Sequence, residues 1–110
     1  MTFPPPDVLA VRSAEIATFL RLVIRAAELS GRWDFTPTSW YRTDAQTAQL
    51  RAQSGSSVIG SSQHAIATAL DVVGPDAPVL ASTFVQLGGI ALREANGSWH
   101  LQLYRAGAWA

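Results

Sequence analysis

The sequence predicts an α+β domain: a small, mainly antiparallel sheet with helices packed on one side. Three observations carry that reading. Helical and extended patterns alternate along the chain in the order helix, strand, helix, strand, helix. The chain then closes on two apolar runs around "ANGS", and Asn96-Gly97 between such runs is a strong hairpin signal. Finally, 110 residues of which 48% are apolar are enough for one buried core and too few for two, so residues 1–110 read as a single domain.

Each element has its own local signal. Pro4, Pro5 and Pro6 make residues 1–12 a stiff, extended lead-in. Ser13 is placed to cap a helix whose inward stripe is Ile16, Phe19, Leu20, Val23, Ile24, Ala27 and Leu29, with Gly31 as its stop. Arg12, Arg21 and Arg25 fall on its wet face. "FTPTSWYR" is β-branched and aromatic and reads as a strand. "TDAQTAQLRAQ" reads as a short helix capped by Thr43, with Leu50 inward. "SGSSVIGSS" is a Gly/Ser loop. "ATALDVV" reads as an apolar strand. A third helix lies in "GPDAPVLASTFVQLGG", between a Pro/Asp start and a Gly-Gly stop. "IALREANGSWHLQLYR" is the hairpin. Trp33, Trp99 and Trp109 read as core or cleft rim.

Composition excludes several functions. Eight arginines balance eight acids, there is no lysine, and no basic stripe interleaves with aromatics, so a nucleic-acid partner is not expected. Without cysteine there is neither disulfide nor thiolate ligand, and any metal must be held by nitrogen and oxygen. No apolar run reaches the roughly 18 residues that span a bilayer, so membrane insertion is not expected. "MTFPPPDVLAVR" lacks the basic and apolar regions of a signal peptide. The expectation is synthesis in the cytoplasm, with any export by another route.

Chemistry concentrates on the only two histidines, His64 and His100. His64 ends the Gly/Ser loop, Asp71 follows on the next strand, and His100 lies in the second arm of the hairpin. A lone histidine is more often a satisfied core residue than a ligand. Two imidazoles and one carboxylate, however, form a zinc set that leaves a coordination position open, as catalytic zinc sites do. Asp71 between Leu70 and Val72 is costly to bury unless it is paired or bound to a metal.

The wider pattern adds to this. "SSQHAIATALD" resembles S-x-H-x-x-G-x-A-x-D through Ser62, His64, Ala69 and Asp71, with Ala67 at the glycine position. "TSWYRT" resembles T-S-G-Y-R-S, with Trp40 for Gly and Thr43 for Ser. "GSWHLQL" resembles a closing W-H strand. In this order, over residues 38–103, the three blocks resemble the zinc D-Ala-D-Ala carboxypeptidase and L-Ala-D-Glu endopeptidase family, the VanY-like peptidases, which share a fold with the hedgehog signalling domain. The resemblance implies a Zn²⁺ ion held by His64, Asp71 and His100, and a peptidoglycan stem-peptide substrate. It implies that Arg42 holds substrate oxygens through its planar fork of donors. Ser62 matches the motif serine, which binds substrate, supports the metal loop or caps a turn. Gly97 stands where many members carry the glutamate of E-x-x-H, and Gln102 where others carry an acid. In the hedgehog branch an acid stands six residues before the last histidine, so the resemblance offers Glu94 as the catalytic base, returned beside the start of the next strand by the "ANGS" turn; the alternative is a solvated glutamate at a strand end. The absence of a signal peptide suits a phage-type lytic or virion-associated enzyme acting on the cell wall. The alternative reading is a catalytically degenerate member serving as a binding or structural domain.

Overall fold

Helix α1 (Pro6–Ser30) begins at Pro6 rather than at Ser13. Proline suits the first helical turn, where its missing N–H has no partner to lose and its φ is preset. The extended lead-in is correspondingly shorter than residues 1–12. The backbone leaves helical geometry at Arg12 (φ −114°, ψ 18°), so the expected start at Ser13 coincides with a kink between two helical pieces. The helix stops at Gly31 (φ 67°), whose N–H bonds to the Ala27 carbonyl. The computed structural model describes residues 1–54 and 62–105, so Trp109 and most of the Gly/Ser loop lie outside the described residues.

The remaining elements follow in the expected order: β1 (Thr36–Ser39), α2 (Asp44–Ser54), a single 3-10 turn (Gln63–Ile66), β2 (Ala69–Val73), α3 (Ala77–Gln86), β3 (Ile90–Arg93) and β4 (Trp99–Gln102). Thr43 caps α2 reciprocally. Its hydroxyl accepts from the Gln46 N–H at 3.1 Å, and the Gln46 side chain accepts from the Thr43 N–H at 2.8 Å. The β3–β4 connection is a three-residue loop rather than a two-residue turn on Asn96-Gly97. Gly97 alone takes positive φ (88°), and the Glu94 N–H bonds to Ser98 O at 2.9 Å.

All strand pairs are antiparallel, in the order β1-β2-β4-β3. The chain leaves β2 through α3, lays β3 at the far edge and returns β4 to the middle. One face of the sheet carries Leu70, Val72 and Leu101 onto Phe19, Val23, Ala26 and Ala27 of α1 and Leu80, Ala81 and Phe84 of α3. Phe19 and Phe84 meet edge to face at 6.0 Å. By the two-residue period of a strand, Asp71 and His100 point to the opposite face. This is the α+β arrangement expected, with α1 and α3 stacked on the sheet.

Several apolar side chains lie outside this core. Ile24, Leu29 and Leu50 are exposed rather than inward, and Trp33 is 57% exposed, stacked on Phe35. Trp99 packs against the core. Among the described residues no helix is long and apolar enough to cross a membrane.

Candidate metal centre

The register of the sheet assembles the site. Asp71 on β2 is the direct cross-strand partner of His100 on β4, and Ser39 on β1 is the partner of Asp71. His64 comes from the 3-10 turn that leads into β2. Ser62 caps this turn, its hydroxyl accepting from the His64 N–H at 3.2 Å. His64, Asp71 and His100 are all buried, and one ligand atom from each lies within 4.8 Å of the others. They are close enough to hold a metal ion.

The outer partners decide which ring nitrogens face inward. His64 Nδ1 meets the Trp40 carbonyl. A carbonyl only accepts, so Nδ1 carries a proton, and Nε2 is the atom turned toward Asp71 Oδ1, 3.3 Å away. The Gln102 amide nitrogen donates to Tyr104 O, which turns Oε1 toward His100 Nε2 at 2.8 Å. His100 Nε2 therefore carries a proton, and Nδ1 faces Asp71 Oδ1 at 3.0 Å. With both rings neutral, three acceptors converge on one point. Neutral imidazoles there repel the carboxylate unless a proton or a cation lies between them.

In the metal-free chain protons take the place of that cation, and the inward nitrogens then donate to Asp71. Burial opposes the charge on Asp71, but hydrogen bonds from His100 and His64 outweigh it and hold the carboxyl well below the usual range. Burial also opposes a charged His100, and the hydrogen bond to Asp71 outweighs that, raising its pKa.

Glu94 stands near the cluster. It is half-buried just beyond β3, it accepts from the Ser98 hydroxyl at 3.3 Å, and its carboxyl is within electrostatic reach of Asp71 and His100. Burial first, and then the Asp71 carboxylate, push Glu94 up to about 7. A bound cation would draw it down again.

Arg42 is also beside the ligands, but engaged with the protein. Its Nη1 donates to Ser39 Oγ at 2.9 Å and to Asp71 Oδ2 at 3.4 Å, and its Nε donates to Thr47 Oγ1 at 3.1 Å. Nη2 has no side-chain or backbone partner among the described residues. Arg42 and Ser39 also line an open cleft of about 370 Å³ with Thr38, Tyr41, Gln46 and Gln49.

Three further residues contribute. Gln102 lies two residues after His100 on one strand, which puts both on one face. Ser39, part of the "TSWYRT" block, and Thr47, which carries no sequence signal of its own, hold Arg42. No family model, curated protein or solved structure matches the chain.

Proposed function

We propose that the chain is a zinc-dependent peptidase acting on peptidoglycan stem peptides, of the carboxypeptidase or endopeptidase type and in keeping with a phage-type lytic or virion-associated enzyme. The observation that supports this most is the convergence of His64 Nε2, Asp71 Oδ1 and His100 Nδ1, with Glu94 beside them. An N₂O donor set suits zinc. Bonds of about 2.0–2.1 Å in a tetrahedron separate ligand atoms by about 3.3 Å, close to the 3.0 and 3.3 Å observed.

Zinc, when bound there, polarises a scissile carbonyl and makes water acidic enough to attack near neutral pH. Glu94 takes the proton of the attacking water and delivers it to the leaving amine. Arg42 orients Asp71 through Nη1 and holds a substrate oxygen through Nη2 at the wall of the cleft. Ser62 caps the His64 turn in this reading.

The second reading is a catalytically silent domain that keeps the metal. It is favoured by Gly97 and Gln102, which stand where the resembled family carries its acids. Metal analysis of the purified chain is expected to find about one zinc per molecule, and the chain is expected to release stem-peptide fragments from purified peptidoglycan. Glu94→Gln is expected to keep zinc and lose turnover. No zinc after loading sinks both readings. Zinc without turnover in the native sequence leaves the silent domain, and full turnover in Glu94→Gln removes Glu94 from the mechanism.

A further inference from the structure

Residues 40–42 grip the turn carrying His64 at three points. The Trp40 carbonyl accepts from His64 Nδ1, the Arg42 N–H donates to His64 O at 3.3 Å, and the Trp40 indole Nε1–H donates to Ala67 O at 2.9 Å. Ala67 closes the turn in the left-handed conformation (φ 60°, ψ 23°), the only non-glycine residue at positive φ among the described residues. A Cβ disfavours that conformation, which persists only where the surroundings impose it. The bond from Trp40 is such an imposition. The indole is itself braced, meeting Phe3 edge to face at 5.5 Å. Ala67 is fully buried, and its N–H returns to His64 O at 3.3 Å, so its backbone angle and the placement of His64 are mechanically linked.

We propose that Trp40 is a positioning residue for the metal site. Its indole N–H holds Ala67 in the left-handed conformation, and so holds the 3-10 turn in the position that aims His64 Nε2 at Asp71 and His100. Its carbonyl fixes the tautomer of the same ring. One residue thus sets both the place and the proton of one ligand. This rests on the reading of His64, Asp71 and His100 as a zinc site.

The test uses Trp40→Phe, which keeps an aromatic ring against Phe3 and removes the N–H donor along with the second ring, alone and with Ala67→Gly. Zinc affinity is read by competition with a chromogenic chelator, and the His64 ring-nitrogen shifts by ¹⁵N NMR on the metal-free chain. Trp40→Phe is expected to weaken zinc binding about tenfold, the low end of the usual range for outer-shell partners, and, by letting the turn drift from the carbonyl of residue 40, to shift the His64 ring-nitrogen resonances. Ala67→Gly, which accepts the left-handed angle unaided, is expected to restore both in the double variant. Unchanged affinity and an unchanged His64 spectrum in Trp40→Phe overturn the proposal, even if the unfolding temperature falls. So does a double variant no better than Trp40→Phe. If the native sequence binds no zinc, the metal reading fails on its own, and the ¹⁵N spectra still decide whether Trp40 positions His64.

Discussion

Asp71 and His100 are direct cross-strand partners at the centre of the sheet, with His100 Nδ1 3.0 Å from Asp71 Oδ1. The ladder between β2 and β4 sets this pair, and the second carboxylate oxygen is held by Arg42 at 3.4 Å. The two ligands therefore sit on rigid backbone, and only His64 arrives on a turn.

Asp71→Asn keeps the shape of the side chain and removes its charge. Zinc affinity is expected to fall by more than the roughly 10–100-fold associated with outer-shell partners, because a ligand itself is lost. Chelator competition measures this. Affinity equal to that of the native sequence would take Asp71 out of the ligand set.

Gln102→Leu removes the acceptor on His100 Nε2 while preserving bulk. The ring is then free to present either tautomer, and zinc affinity is expected to fall roughly 10–100-fold with the fold retained. Circular dichroism checks the fold and chelator competition the affinity. An unchanged affinity would show that the cross-strand geometry alone orients His100.

Stability of the metal-free chain is expected to peak in mild acid. Asp71, held below its ordinary 3.8 by hydrogen bonds that outweigh burial, contributes stability that is present above that value and lost as pH falls below it. Glu94, raised by burial and by Asp71 from 4.5 to about 7, contributes stability that is present below 4.5 and lost as pH rises through 7. His100 is raised above 6.5 because its bond to Asp71 outweighs burial, and its contribution is present below 6.5 and lost at higher pH. The optimum is expected at about pH 4–5, by linkage. Zinc requires a neutral His100 and displaces protons, so its added stability is expected to grow with pH. Urea unfolding across pH, with and without zinc, reads both trends, and a metal-free optimum above pH 7 would contradict them.

Gly74→Ala is expected to destabilise the fold by about 1–3 kcal/mol. Gly74 has φ +119°, and an added Cβ meets backbone, Asp34 O at 2.9 Å and the Phe35 Cα at 3.0 Å. The position joins β2 to α3 away from the ligands, so zinc stoichiometry is expected to stay the same. Thermal unfolding with parallel metal analysis separates the two effects.

Much of the architecture was legible because it is local. The α1 stripe, the Thr43 cap, the Gly31 stop and the hairpin around Gly97 all depend on neighbours within a few residues. Boundaries were less so. Pro6 opens α1 because proline tolerates a first turn, and the apparent cap at Ser13 marks a kink. Ile24, Leu29 and Leu50 match the apolar pattern but are exposed, because periodicity says which side chains share a face and not how much of that face a partner covers. Trp33 lies in the connection between α1 and β1 and stacks on Phe35.

The candidate site divides along similar lines. The sequence by itself determined the ligand types, since a chain without cysteine and with two histidines offers few sets, and it determined that Glu94 returns near the start of β4; the three-residue loop that pairs it with Ser98 was decided by the structure. Only the tertiary structure decided that β4 rather than β3 lies beside β2. That order brings Asp71 and His100 face to face, and it depends on how α3 crosses the sheet. Tertiary structure also turned Arg42 onto Asp71, Gln102 onto His100 and Trp40 onto the His64 turn. These are contacts between segments distant in sequence, and burial makes them necessary: a charge or a ring nitrogen removed from water must find a partner wherever the fold provides one.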